Sequence, residues 1–478
     1  MKNIYINPFK TLAILFALIT VSSCAKFLET PMPTNSLATK TAFSSKTTID
    51  GMMNQMYITF VNNVAITTSF NMEAYADNTY NPTSSSTPQT NGDQMPVPSA
   101  SWNNLYRAIY LANTMLEGLP DANAVGLTQI IRDQYIAAAL TVRSMAYFQL
   151  VRFYGDVPLL LTSDVEANKF VARTPKAEIY TKIETDLKQA ITLLPATLGA
   201  KYYITNKYIP EAILANVYLT QGKWTDAEAA ATDIIGSGKF QLVNIADVFL
   251  QKSAETIMAT GYTQYANDKA LQAAVPGAYG CLPAGSNKKA LETSFPSLSE
   301  SLVTSFETGD LRRTNWTIVS NTNGYSNPLN RVFSYKYKYN TGMDATVVIP
   351  VGREEDQKFM RLAEMYLVRA EARASKTSPD LTGAAADLNL IRNRAGLVNT
   401  TAATQSALVD AIIKERRVEL FYEGFSRWCD LVRTNKADAI LGAISYKASN
   451  WKSHMKLFPI PIAEIQKNPE LTQNPGYN

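Results

Sequence analysis

Residues 407–433, ALVDAIIKERRVELFYEGFSRWCDLVR, crowd charges and aromatic rings together at helical spacing. Ile413, Arg417, Leu420, Phe421, Gly424 and Trp428 recur at steps of mostly three and four, so one helix over 407–433 turns them all to one side. Arg417 then shares a face with residues that point inward, and a charge in that place needs a partner. Glu419 and Glu423 are one turn apart, a like-charge pair that disfavours an isolated helix by about 0.2–0.5 kcal/mol. Glu423 can reach Arg427 four residues on, whereas Glu419 has no such cation C-terminal to it. Other segments must therefore supply counter-charges, for catalysis or for architecture.

Working outward, the same helical period recurs along most of the chain. Helices are expected over 48–61, 102–119, 128–154 and 175–194, the third stopped by the Gly155-Asp156-Val157-Pro158 turn. Within 208–237, Ala212, Tyr218, Gly222, Trp224 and Ala227 follow in the order of a tetratricopeptide helix pair. A second pair is expected in 361–395, where MYLVRAEAR is followed by a loop and AAADLNLIRNRAG. These readings give a mainly all-α chain, a superhelix of tetratricopeptide-like hairpins with a few short strands. The polar run NPTSSSTPQTNGDQMPVPS after Tyr80 reads as a long surface loop, of the kind that often carries function. Gly, Pro and Tyr accumulate over 251–350, a loop-rich insertion in which the alternating VFSYKYKY of 332–339 is a strand or hairpin. The organisation expected is 1–23 signal, 24–40 tether, 41–250 N-terminal helical region, 251–350 insertion and 351–478 C-terminal helical region.

Composition is that of a globular protein: 478 residues, 18% charged, 10% aromatic, with 25 tyrosines. A net charge of +4, part of it in Lys2 and Lys10, gives no basic footprint for nucleic acid. Those two lysines, the apolar run 12–21 and Val21-Ser22-Ser23-Cys24 form a secretory signal with a small-residue cleavage site. A Cys directly after it matches a bacterial lipobox, with cleavage before Cys24 and acyl chains on its sulfur and new amine. The alternative is an ordinary secretory signal with a chance cysteine. Cys281 and Cys429 form either one disulfide or two buried thiols, and without CxxC spacing they do not make a zinc site.

His454 is the only histidine, which removes two-histidine metal sites and leaves any Ser–His or Cys–His nucleophile dependent on one residue with no motif around it. No P-loop, nucleophile elbow or dinucleotide fingerprint occurs, and no cofactor is implied. Paired carboxylates are the remaining catalytic option, because a glycosidase needs only two at a suitable separation. Glu419, Glu423 and Asp430 are the tempting set. They sit among Arg416, Arg417 and Arg427, with Arg369, Glu371, Arg392 and Arg394 on neighbouring segments. An ion-pair lattice between stacked helices accounts for all of these charges, and arginine lowers carboxylate pKa values, the wrong direction for a general acid.

Taken in order, Cys24 with Phe27-Leu28-Glu29, Trp102 to Asn113, GDVPL from Gly155, Phe306 with Gly309-Asp310-Leu311-Arg312-Arg313, RLAEMYLVRAEA from Arg361, IRNRAGL from Ile391, ERRVELFYEGFSRWCDLVR from Glu415 and LFPIPIAEIQKNPELTQNPGY from Leu457 resemble the SusD/RagB family of Bacteroidetes outer-membrane nutrient-binding lipoproteins. The resemblance implies a helical fold with four tetratricopeptide-like pairs, no catalytic activity, a lipid anchor on the outer membrane facing the exterior, and a SusC-like TonB-dependent transporter as partner. Its ligand would be a glycan or another nutrient. Glycan capture uses aromatic faces plus planar amides, carboxylates and arginine for the hydroxyls. On that chemistry the candidates are Asp77, Asn78, Tyr80 and Trp102, with Trp316, Asn321, Tyr325 and Arg331 in the insertion. An all-helical glycoside hydrolase or lyase, and a tetratricopeptide scaffold that binds a peptide or protein, are the competing readings.

Overall fold

The computed structural model describes residues 39–60, 72–80, 99–199, 204–260, 297–319, 331–338, 350–424 and 426–477. Cys24, the tether up to residue 38, most of the polar loop after Tyr80, Cys281, Asn321 and Tyr325 lie outside them. The described residues are mostly helical. The principal helices are α1 Lys46–Phe60, α2 Ser99–Gly118, α3 Gln129–Tyr154, α4 Lys176–Leu193, α5 Tyr208–Gln221, α6 Trp224–Gly236, α7 Leu362–Ser375, α8 Leu381–Arg394, α9 Gln405–Leu420 and α10 Ser426–Arg433.

Helix α3 is the spine of the first half. Thr128 caps it, its hydroxyl accepting from the Ile131 N–H at 3.3 Å, and Gly155 ends it with φ +73°. Every residue from 137 to 151 is buried, because α2 packs on one side and α4 on the other. A helix enclosed on all sides can carry charge only when it is paired. Arg143 accordingly donates to the Asp186 carboxylate at 2.8 Å and to the Asn113 side-chain oxygen at 2.9 Å.

From α4 onward each helix packs against its successor, α4 on α5, α5 on α6, α6 on α7, α7 on α8 and α9. The α5–α6 turn is set by Gly222, whose φ of +70° belongs to the left-handed region, with the Trp224 ring 3.5 Å from where a Cβ would stand. The tetratricopeptide-like pairs expected over 208–237 and 361–395 are thus α5–α6 and α7–α8.

Among the described residues, six short strands form three antiparallel pairs: β1 Thr79–Tyr80 with β3 Ser297–Leu298, β2 Thr256–Thr260 with β6 Gln357–Arg361, and β4 Thr317–Val319 with β5 Val332–Ser334. Strand β5 is the one expected from VFSYKYKY. The β2–β6 pairing sets Arg361 opposite Thr256, beside Glu255, and so delivers a charge of each sign to the same buried place.

The single helix expected over 407–433 is two. The chain leaves helical geometry after Leu420, turns through Tyr422 and Gly424, both at φ +60°, and restarts at Ser426. Left-handed geometry at a non-glycine residue costs roughly 1–2 kcal/mol, so contacts elsewhere must hold Tyr422. The broken end is held by side chains from distant segments.

Candidate functional site

Lys336, just after β5, is fully buried below that break. Its Nζ donates to the Glu419 and Phe421 carbonyls, each at 2.8 Å, and to Glu423 Oε1 at 2.6 Å. Carbonyls freed where α9 ends are therefore capped by a cation, the charge that a helix C-terminus prefers. The ammonium stands 4.0 Å from the Phe421 ring centre and 4.8 Å from that of Trp316. Burial still dominates, lowering the Lys336 pKa to about 8 although Glu423 pulls the other way.

Arg361 occupies the centre. Its Nε and Nη2 donate to Glu423 at 2.7 and 3.1 Å, its Nη1 to Glu419 at 2.5 Å and, at 3.4 Å, to Glu255. Arg312 reaches Glu419 at 2.8 Å, Glu415 at 2.6 Å and its neighbour Asp310, while Arg394 joins Glu255 to Glu419. Burial alone would raise the Glu419 carboxyl, but Arg394, Arg361 and Arg312 outweigh it and hold it well below the usual carboxylate range. A carboxylate so placed stays ionised and hydrogen-bonded on all sides, which suits architecture and not proton transfer. The i, i+4 pairing of Glu423 with Arg427 does not form, because the break carries them apart. Arg427 goes to Asp77 instead.

Asp77 and Asn78 make a second buried node. Arg427 grips Asp77 bidentately at 2.6 and 2.8 Å, and Arg417 reaches the same carboxylate at 2.9 Å. Arg417 Nε also donates to the Asn78 side-chain oxygen at 2.8 Å, and the Asn78 amide donates to Glu73 at 2.6 Å. With 2% and 0% of their surface exposed, Asp77 and Asn78 have their polar groups committed to the scaffold rather than offered to a ligand. Farther along, Arg416 and Arg433 share Asp430, Arg433 takes Glu371 with its other nitrogens, Arg392 pairs with Glu307 and Glu415, and Arg369 holds Asp387.

The remaining candidates divide. Trp102 is 3% exposed and packs edge-on against Tyr154 at 4.9 Å, so it is core. Trp316 is 1% exposed, its indole N–H donating to the Ile245 carbonyl at 2.9 Å, and it walls Lys336. Arg331 is half-buried at the entry to β5 and has interactions of its own. His454 stands edge-on to Tyr477 at 4.7 Å.

Tyr80 is, of the described candidates, the half-buried aromatic beside the Asp77 node. Its ring lies 4.7 Å from that of Tyr446, tilted by 36°, and Tyr446 is half-buried too. Burial, with Asp77 and Tyr80 nearby, pushes the Tyr446 hydroxyl up to about 12, so that ring stays neutral at ordinary pH. Nothing in the local sequence around Tyr446 singles it out; it is brought to Tyr80 by the tertiary fold. The β1–β3 ladder pairs Tyr80 with Ser297, whose hydroxyl donates to the Tyr80 carbonyl at 2.9 Å. Tyr80 precedes 81–98 and Ser297 follows 261–296, so the roots of these two segments are fastened side by side at the aromatic pair. Below them the Ser299 N–H donates to the Asn78 carbonyl at 2.8 Å, tying this ledge to the Arg417–Arg427 node.

Comparison with known proteins agrees with that architecture. A model described as "SusD family" matches residues 254–477, and a second, "Starch-binding associating with outer membrane", matches residues 26–219. SusD-like protein P2 of Formosa agariphila is 27% identical over 435 residues, 81% of this chain and 82% of that protein. Starch-binding protein SusD of Bacteroides thetaiotaomicron is 37% identical over 131 residues, 26% of this chain and 22% of its own. Among solved structures, a SusD superfamily protein from Bacteroides vulgatus superposes with a TM-score of 0.75 at 19% identity over 91% of this chain and 100% of its own. A laminarin-binding SusD-like protein does so at 0.74 and 24% identity, again over 91% and 100%. The solved structures share the fold over nine-tenths of the chain, and the two family models laid end to end along 26–219 and 254–477 make this chain a SusD-like protein.

Proposed function

We propose that this chain is a non-catalytic, lipid-anchored outer-membrane protein that captures an oligosaccharide on the Tyr80–Tyr446 ledge and passes it to a SusC-like TonB-dependent transporter. The observation that carries this reading is the ledge itself: two half-buried rings, held from beneath by a paired ionic node, where the roots of 81–98 and 261–296 meet. Aromatic faces of this kind match the apolar faces of sugar rings, and a platform that is already rigid loses little entropy on binding. Both the family description and the starch-binding relative favour a glycan and the outer membrane. Cys24 would carry the anchor.

The chemistry of the carboxylates supports a role without turnover. Glu73 is the group near the ledge with a carboxyl raised to neutrality, by burial, to about 7. It is 1% exposed and its oxygen is occupied by the Asn78 amide, so it has no path to a glycosidic oxygen. Calorimetry of the Cys24→Ala protein against starch, laminarin and xylan tests the proposal. At least one glycan is expected to bind without release of reducing ends. Tyr80→Ala and Tyr446→Ala should each weaken binding by about 1 kcal/mol, roughly fivefold. Release of reducing ends, or affinity unchanged in the double variant, would refute it.

A further inference from the structure

A second concavity lies in the helical scaffold, lined by elements other than those of the ledge. An inner, partly open chamber of about 60 Å³ is lined by α3, α5, α9, α10, the end of β6 and the start of α7, with the Glu364 and Asp430 carboxylates among its walls. An outer groove of about 490 Å³ is lined by α3, α4 and α10. Arg152, Thr220, Cys429 and Arg433 line both, so the two are contiguous. The outer volume falls within the roughly 300–1,000 Å³ of small-molecule sites.

Its charges are unusual for this protein, where most buried cations are consumed by carboxylates. Arg433 follows that rule, closed by Glu371 and Asp430. Arg152 does not. Its guanidinium stands 4.0 Å over the Phe148 ring and donates to the Gln149 side-chain oxygen at 2.6 Å, yet among the described residues it has no carboxylate partner and its buried Nε has no partner at all. Arg416, 3% exposed and lining the inner chamber, spends Nε on Asp430 at 2.9 Å while its buried Nη1 also has no partner among the described residues. Such unpaired buried donors cost about 1–3 kcal/mol each, which a guest acceptor would recover. The outer wall adds Lys176 and Ala177, the first turn of an 18-residue helix, where the backbone presents partial positive charge. Asp156 accepts the Lys176 backbone N–H there, and the Lys176 side chain is exposed. Tyr180, Val432 and Leu457 add apolar surface to the same lining.

We propose that this groove is a binding site for a small organic carboxylate with a flat apolar body, its carboxylate on the Arg152 fork and its body against Tyr180 and Leu457. Arginine's planar fork selects a carboxylate geometrically, and the apolar wall selects against a bare inorganic ion. Benzoate is the probe, with benzyl alcohol as its neutral counterpart and inorganic phosphate as an anion without an apolar body. Calorimetry on the Cys24→Ala protein should give saturable benzoate binding and none for the other two. Arg152→Met, which keeps a stem over Phe148, should weaken benzoate about tenfold, the equivalent of one charge-assisted hydrogen bond. Lys176→Gln, on the exposed first turn of α4, should weaken it by a smaller factor, and this variant decides the matter if Arg152→Met fails to fold. Tyr80→Ala should leave benzoate affinity unchanged, which separates this site from the ledge. Absence of saturation, equal affinity in the folded variants, or phosphate binding as tightly as benzoate would overturn the proposal.

Discussion

Replacing Glu423 by alanine tests whether the break after α9 is held by charge. The substitution removes the acceptor of Arg361 Nε at 2.7 Å, Arg361 Nη2 at 3.1 Å and Lys336 Nζ at 2.6 Å. Arg361 keeps Glu419 and Glu255, so its charge stays compensated. Lys336 keeps two backbone carbonyls and its aromatic walls. Its folded pKa is already lowered to about 8 with Glu423 present, and losing that carboxylate lowers it further, so the ammonium sheds its proton near neutrality. That escape bounds the loss, and the expected cost is about 3–5 kcal/mol, that of breaking a buried pair by removing one partner. Urea denaturation of the Cys24→Ala protein, followed by tryptophan fluorescence and by far-UV circular dichroism, measures it. Adding Lys336→Met to Glu423→Ala should recover at least about 1 kcal/mol relative to the sum of the single changes, because the buried amine that lost its carboxylate partner is then gone. Glycan selectivity should be unchanged in whatever remains folded. A cost below about 1 kcal/mol, or strict additivity of the pair, would refute the assignment of Glu423 to the buried network.

Two further expectations concern pH. Lys336 has a folded pKa of about 8 against 10.5 for the free side chain, so between those values the unfolded chain holds a proton that the folded chain has released. Stability contributed by this residue therefore rises with pH across that window, and wild type should gain on Lys336→Met as pH goes from about 8 to about 10.5 in paired denaturation curves; a constant difference would count against it. Glu307 is displaced in the opposite sense, to about 2, chiefly by its hydrogen bond from Arg392. Its contribution is present above the unfolded value of 4.5 and lost as pH falls from there towards 2, so Glu307→Gln should flatten that part of the acid limb, and an unaltered limb would contradict the pairing.

The helices were legible because their signals are local. Thr128 and the Gly155-Asp156-Val157-Pro158 turn bracket α3, and Gly222 marks the α5–α6 turn, each readable within a few residues. The break at 421–425 was hidden for the opposite reason. Its only local breaker is Gly424, and the groups that hold the freed Glu419 and Phe421 carbonyls come from Lys336 and Arg361. Asp77 and Asn78 have the right chemistry for a sugar, but Arg417 and Arg427 meet them from more than three hundred residues away, and that encounter decides their use. Sequence reports what a side chain can bond to and is silent on which partner arrives first. Tyr446 was missed because a single tyrosine in a polar stretch acquires meaning only once Tyr80 stands against it.

The β1–β3 ladder also bears on how such a protein diversifies. The residues at its two exits are joined largely through main-chain groups, Thr79 with Leu298 and Tyr80 with Ser297, and main-chain pairing is indifferent to what the side chains spell. New sequence inserted beyond either exit therefore inherits a fixed pair of anchor points and an aromatic floor without renegotiating the ionic core beneath. If the ledge holds the ligand as proposed, exchange of 81–98 or 261–296 would change what meets that floor while leaving the ionic core in place, and transplanting both segments from a SusD-like relative would rewrite what the protein holds.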